Sequence, residues 1–334
     1  MSDFIQQQNN VCAFSSSDSW VILSPIEQSI KHKIEAIGTP LKDWDIQINY
    51  GIKTGFNDAF IISTEKRNEI LDNCKDLDER HRTEELIRPI LRGRDIRRYG
   101  YEWADLYLIA TFPARNYDID NYPAVKQYLL TFAEKNLRES GYNWIADNYL
   151  ADFCRQKLSQ TGLFVEIDGK RITIGSSPEK ARKKTNNKWF ETQDSISYWD
   201  LLNKPKIVWG EISDKTKFCI DEEGLYSPEA TTFMLSGKDL YLLLAFLNCP
   251  VSEYMFSKIG TTTGVGTVRW KKFKIEQLFV PSKLNETTKL EIERVCRNII
   301  HGNCNERTIN EIIYRVFNLN EDEIEFIENY KNTI

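Results

Sequence analysis

Histidine is scarce in this chain of 334 residues: three occur, His32, His81 and His301, far apart in the sequence. The seven cysteines include no CxxC pair. Zinc sites of His/Cys type are therefore not expected, and the odd cysteine count reads as free thiols in a reducing cytoplasm. Long apolar runs are also missing. The longest, around Leu240 to Leu247, is far short of the ~20 residues that a membrane-spanning helix requires, so no membrane partner is expected. Met1-Ser2-Asp3-Phe4-Ile5-Gln6 has neither the basic start nor the apolar stretch of a secretion signal. Neither GxGxxG nor GxxxxGK followed by Ser or Thr is present, and no internal repeat is evident. The common nucleotide-binding loops are thereby excluded.

Positive charge in excess is the remaining absence. A net charge of −5 argues against a nucleic-acid partner, because Lys and Arg supply phosphate binding. Its distribution argues the other way. Arg88, Arg92, Arg94, Arg97 and Arg98 fall close together, as do Lys180, Arg182, Lys183, Lys184 and Lys188, and then Arg269, Lys271, Lys272 and Lys274. Much of the acid sits instead in Glu321, Asp322, Glu323, Glu325 and Glu328. A local basic face on an acidic protein is compatible with DNA. The plainer alternative is solvated charge on surface helices.

With 41% apolar and 12% aromatic residues the composition is that of a globular protein with ample chain to bury a core. Residues 1–20 are polar and aperiodic and read as a linker. Ser24, Pro25 and Glu27 then supply an N-cap, an N1 proline and an N3 glutamate. Ile26, Ile30, Ile34 and Ile37 continue on one helical face until Gly38-Thr39-Pro40 stops it. Strands are predicted at Asp45–Tyr50, Ala59–Ile62, Leu106–Ala110, Lys206–Trp209, Phe218–Ile220 and Thr231–Leu235, with helical patterns such as Tyr122–Arg138 between them. Leu163–Ile174 alternates around Asp168-Gly169 and reads as a hairpin. Gly237–Leu247 is apolar nearly all round, as in a buried helix. After Pro281 three helices are predicted, at Leu290–Ile300, Thr308–Phe317 with a Thr308/Glu311 capping box, and Glu321–Tyr330. The fold class expected is α+β: a mixed-sheet domain over 21–281, a boundary near 282, and a helical segment over 282–334.

The segment Gly51-Ile52-Lys53-Thr54-Gly55-Phe56-Asn57-Asp58-Ala59-Phe60-Ile61-Ile62 sets two glycines around a lysine and a threonine. Such a loop can bring bare backbone N–H groups close to an anion. It follows Ile34-Glu35-Ala36-Ile37-Gly38-Thr39-Pro40-Leu41-Lys42-Asp43-Trp44 and precedes Arg88-Pro89-Ile90-Leu91-Arg92-Gly93-Arg94-Asp95-Ile96. Further on come Lys204-Pro205-Lys206-Ile207-Val208-Trp209, Val268-Arg269-Trp270 and Leu278-Phe279-Val280-Pro281. In this order the segments resemble the C-terminal specificity domain of TaqI-like and Eco57I-like adenine DNA methyltransferases and of type IIG restriction-modification enzymes. The resemblance runs from about Ile26 to Tyr330.

That resemblance implies a target-recognition domain that grips double-stranded DNA for an attached adenine-N6 methyltransferase domain or subunit, with or without a nuclease. S-adenosylmethionine, and magnesium where the parent cuts, would belong to the parent's catalytic domains; no cofactor is expected in this chain. The family's adenine-gripping Asn/Asp-Pro-Pro-Tyr/Phe motif is absent, since none of the ten prolines is adjacent to another. The chain is therefore not expected to be an enzyme by itself. Positioning contacts are expected from Lys53, Thr54, Gly55 and Asn57, with Lys53 on a phosphate. Arginine matches guanine O6/N7 or phosphate best, which selects Arg92 and Arg94 and, beside the hydroxyl-rich Gly260–Thr267 stretch, Arg269. Lys184, Lys188, Thr261, Thr262, Thr263 and Lys271 complete the candidates. Lys188-Trp189-Phe190 and Trp270 can offer planar faces, whereas Trp44 and Trp209 are assigned to the core.

Two alternatives stand beside this reading. One is a protein-interaction subunit that docks a methyltransferase through the helices of 282–334. The other is a metal-dependent nuclease, for which Asp168-Gly169-Lys170 gives half a motif and Asp147 or Asp152 an upstream carboxylate. An Asp-Gly pair at a hairpin tip is fully explained as a turn.

Overall fold

A computed structural model of the chain describes residues 23–130, 164–167, 170–173, 187–188, 190–259 and 267–330. The order begins α1 (Pro25–Ile37), β1 (Thr39–Pro40), β2 (Ile46–Tyr50), α2 (Asn57–Phe60), β3 (Ile61–Ser63), α3 (Thr64–Asp72), α4 (Leu77–Leu86), β4 (Ile87–Leu91) and β5 (Leu106–Ile109). Next come the hairpin strands β6 (Phe164–Ile167) and β7 (Lys170–Thr173), then β8 (Lys206–Gly210), β9 (Ile212–Ser213), β10 (Phe218–Asp221), β11 (Ser227–Pro228) and β12 (Thr232–Gly237). The chain continues as α5 (Leu240–Asn248), α6 (Pro250–Ile259), β13 (Val268–Arg269), α7 (Lys272–Ile275), β14 (Phe279–Val280), α8 (Glu286–Ile300), α9 (Glu306–Val316) and α10 (Glu321–Tyr330). The fold is α+β with mixed sheets.

Two four-stranded sheets carry the structure. The first, ordered β10-β8-β12-β2, is antiparallel throughout. In the second, ordered β11-β4-β5-β3, the β11–β4 pair is parallel and the rest antiparallel. Strand β12 stands between two cores, and its period-2 alternation shows it. Phe233 and Leu235 face one apolar cluster with Trp209, Leu243 and Phe246. Met234 faces the other, with Phe60, Ile90 and Leu108. Burial on both faces explains why β8 and β12 read as continuous apolar runs.

Helix α5 is buried nearly all round, as its composition predicts. The side chain of Asn248 at its end both accepts from and donates to the backbone of Phe218, at 3.0 and 2.9 Å, and so ties the helix to β10. The chain bends by 69° into α6, and among the described residues no single helix is long and apolar enough to cross a membrane. Ile292, Ile309, Ile313 and Phe317 of the helices beyond residue 282 share the core of α5 and α1. Arg98 reinforces this junction, pairing with Glu306 and donating to Thr216 at 2.8 Å.

Several local expectations need correction. Residues 59–60 close the short helix α2, and the strand begins only at Ile61, because Thr54 and Asn57 organise a helical turn there. Helix α9 is capped by Asn305, whose side chain accepts from Thr308 N at 3.3 Å, rather than by a Thr308/Glu311 box. Helices α3 and α4 carry little apolar surface and gave no clear period. The stretch after Ile87 is a strand, with Pro89 inside it, rather than a helix surface. The hairpin appears as expected, Phe164 opposite Thr173 and Ile167 opposite Lys170.

Lys206 and Asp221 form an ion pair of 2.6 Å with both side chains essentially inaccessible. Burial pulls the Lys206 ammonium below its usual range, while Asp221 draws it back. Asp221 also accepts from the N–H groups of Leu225 and Tyr226. Lys206→Met should therefore cost about 3–5 kcal/mol in urea unfolding, because it strands a buried carboxylate. Lys206→Met/Asp221→Asn, which removes the buried charge and keeps an acceptor for one of the two amides, should recover part of that loss.

Candidate nucleic-acid interface

At one seam the chain crosses between the two sheets in both directions. After β2 the backbone leaves the first sheet at Gly51, whose N–H donates to Thr232 O at 2.8 Å, and Ile52 donates to Pro228 O at 2.8 Å. Ile52 then bridges Glu229. A β-carbon on Gly51 would lie 1.9 Å from the Glu229 carbonyl oxygen, so only glycine fits. Around the turn from Glu229 to Thr232 the other candidate segments gather. Glu229 N donates to Leu91 O, Glu211 N to Thr231 O and Trp270 N to Glu211 O. Gly93 N donates to the Thr231 hydroxyl at 3.2 Å.

The loop beyond Gly51 is held tightly. Gly55 has φ +77°, the left-handed conformation that glycine adopts without strain. The buried Thr54 hydroxyl accepts from Phe56 N at 3.1 Å and donates to Asn57 Oδ1 at 2.6 Å. Gln193 N and Asp194 N donate to the carbonyls of Thr54 and Lys53, and Lys53 N donates to the Asp194 carboxylate at 3.3 Å. Part of the loop's backbone is thereby committed: the N–H groups of Gly51, Ile52, Lys53 and Phe56 all have protein acceptors. Thr54 shapes the loop instead of presenting its hydroxyl, and the group offered outward is the exposed Lys53 side chain.

A similar sorting applies to the arginines after β4. Arg92 grips Asp95 with two bonds, 2.7 and 3.0 Å, and its backbone N–H donates to the same carboxylate at 2.9 Å. This pairing raises the Arg92 pKa further. Its guanidinium is committed to closing the turn, not displayed as a reading group. Arg97 pairs with Glu102 and donates to Arg94 O. Arg94 is exposed and has no ion-pair partner among the described residues. Arg92, Arg94 and Asn57 line one cleft with Asp58, Glu229 and Thr231.

Arg269 lies on β13, opposite Ile212, and pairs with Glu211 at 2.8 Å while remaining 43% exposed. Lys271 caps α7 and is half-buried. Trp270 is buried and stacked on Phe256 at 3.9 Å, so it offers no planar face. Lys188 is exposed, but its ammonium donates to Asn116 Oδ1 at 2.8 Å and Tyr117 O at 3.2 Å. Phe190 is buried, as is Trp209, while Trp44 is partly buried against the core. Lys184, Trp189, Thr261, Thr262 and Thr263 lie outside the described residues, as do Asp147, Asp152 and the Asp168-Gly169 turn.

The seam thus brings Lys53, Asn57, Arg94 and the Arg269–Glu211 pair to one turn. Sequence reasoning missed that turn. Glu229 accepts from both the N–H and the hydroxyl of Thr231, at 2.9 and 2.6 Å, and so fixes it. Its only signal is an acidic residue between a proline and an apolar strand.

Residues 88–280, more than half of the chain, match the family model of the TaqI-like C-terminal specificity domain. The loop from Gly51 to Gly55 precedes the matched stretch. Among solved structures the chain is similar to the type IIL restriction-modification enzyme MmeI in complex with DNA, with a TM-score of 0.48 and 11% identity over 88% of this chain and 36% of that one. It is also similar to the type IIG restriction endonuclease BpuSI, with a TM-score of 0.48 and 11% identity over 91% of this chain and 33% of that one. The chain spans about a third of the length of each. No curated protein sequence matches it.

Because Asp95 is buried, Arg92→Ala should lower stability by about 2–4 kcal/mol. Arg94→Ala should change it by less than about 0.5 kcal/mol. Denaturation midpoints of the two variants check this division of labour, and equal midpoints would contradict it.

Proposed function

This chain belongs to the TaqI-like C-terminal specificity domain family, and from that membership we propose that it recognises a short sequence in double-stranded DNA through the seam between its two sheets. The observation that carries the reading is the convergence of Lys53, Asn57, Arg94 and the Arg269–Glu211 pair on the Glu229–Thr232 turn. Lys53 projects from an immobilised loop, as a phosphate contact requires. Arg94 is the reader, with donor geometry matched to guanine O6 and N7. Arg269 and Glu211 can each turn to a base edge, arginine to guanine and glutamate to the cytosine amino group.

The chain directs adenine-N6 methylation, and cleavage where the parent has a nuclease, by catalytic domains other than itself. S-adenosylmethionine and magnesium would be bound there. Docking through the helices beyond residue 282 has less support, because Ile309, Ile313 and Phe317 are buried in this chain's own core.

Titration of duplex DNA at several salt concentrations tests the proposal. Lys53→Ala should weaken cognate and random duplexes alike and reduce the salt slope by about 0.9. Arg94→Ala should cost roughly 1–3 kcal/mol on the cognate site and relax discrimination at one base pair. If both variants bind every duplex like the parent chain, the seam is not the recognition face.

A further inference from the structure

Strand β4 carries Arg88 near its start and Arg92 just beyond its end, so the two ends of this strand are about 13 Å apart. The seam lies at the Arg92 end. At the Arg88 end a cavity of about 360 Å³ opens, within the range of small-molecule sites, roughly 300–1,000 Å³. Its walls hold three guanidiniums, Arg82 of α4, Arg88 of β4 and Arg115 of the turn after β5, and four aromatic rings, Phe112, Tyr117, Tyr122 and Trp199.

The arginines of this cavity have neutral partners. Arg82 donates to the Asn121 carbonyl at 3.3 Å. Arg88 donates to the Asn203 side chain at 2.5 Å and to the carbonyls of Leu202 and Gly224 at 3.4 Å. Arg115 sits over Trp199, its guanidinium carbon 3.9 Å from the ring centre, and 5.6 Å from that of Tyr117. Among the described residues no carboxylate pairs with any of the three, and the one acid in the lining, Glu85, is exposed. The Nε–H groups of Arg82 and Arg88 are buried without an acceptor. Arg88 feels the charge of the buried Asp221, but Arg82 and Arg115 have no carboxylate partner among the described residues, so the cavity wall as a whole suits an anionic ligand.

Phosphate is the anion that guanidinium geometry matches best, together with carboxylate. The cavity exceeds a phosphate, however, and its remaining wall is aromatic. Tyr117 and Tyr122 meet edge to face, with centroids 5.9 Å apart. The Trp199–Arg115 stack presents a flat, polarised surface of the kind on which unstacked bases lie. We infer that this cavity binds a single nucleotide unit, its phosphate on Arg82, Arg88 and Arg115 and its base against the Trp199–Arg115 stack and the tyrosines. The source is either a free mononucleotide or a nucleotide freed from stacking at the end of a DNA strand. The site is separate from the seam and does not depend on the reading of that face.

Calorimetric titration of the chain with deoxyadenosine 5′-monophosphate tests this, with deoxyadenosine and inorganic phosphate as component arms. A duplex with a one-nucleotide overhang, against the same duplex blunt, forms the DNA arm. Saturable binding is expected for the mononucleotide, for the overhang duplex in preference to the blunt one, or for both; the arm that binds identifies the source. Each component alone should bind at least tenfold more weakly. Arg115→Ala, a change at an exposed residue that should leave the fold intact by circular dichroism, should weaken binding at least tenfold, and Arg82→Gln likewise. Saturable binding in neither arm overturns the inference. So does binding that survives both cavity substitutions or that inorganic phosphate equals.

Discussion

The contact on which the rest of this molecule depends is the close passage of Gly51 against the backbone of Glu229. There the chain leaves one sheet and enters the other, and the turn from Glu229 to Thr232 makes the reverse crossing into β12. With no room for a side chain at Gly51, the two crossings pack directly and their N–H and carbonyl groups pair. Buried backbone groups must be paired, and at this seam they take partners from Leu91 of β4 and from Glu211 just after β8, which in turn accepts from Trp270 beyond β13. Four segments distant in sequence therefore acquire a fixed relation. The exposed side chains on those segments inherit it.

Availability, not the number of basic residues, is the physical lesson of the interface. A guanidinium already bonded to a buried carboxylate carries little net field and cannot reach a base without stranding its partner. Arg92 is so bonded to Asp95, and Arg98 is paired with Glu306. Arg97 pairs with Glu102 at the surface, a weaker tie that still occupies its donors. Arg88 turns to the other end of β4, among carbonyls and an amide. Of five arginines crowded in the sequence, Arg94 alone stands exposed and unpaired among the described residues. The acids Asp58, Asp194 and Glu229 lie close by. Such a face favours discrimination by hydrogen bonding over strong attraction to any duplex.

Much of the fold could be read in the sequence because its signals are local. The Ser24, Pro25 and Glu27 cap, the isoleucine stripe of α1, the apolar run of α5 and the alternation in β6 and β7 each announce an element within a dozen residues. The family resemblance was legible in the order of short motifs, and the family match supports it. Less legible was whatever depends on partners far away in the chain. Nothing beside Arg92 distinguishes it from Arg94 except Asp95, and nothing in Gly51 reveals Glu229. Helices α3 and α4 are polar on most faces, and tertiary packing supplies most of their stability. Trp270, for which a planar binding face and a place in the core both stood open, is covered by Phe256, a residue of α6.

The central claim is that duplex DNA lies on the seam. Hydrogen exchange of the chain, measured with and without an excess of random-sequence duplex at low salt, tests it most directly. The account predicts added protection in the peptides covering 53–57, 92–95 and 229–232, with the helices of 286–330 unchanged. Protection confined to those helices, or no difference at the seam under conditions where a gel shift shows binding, would contradict it.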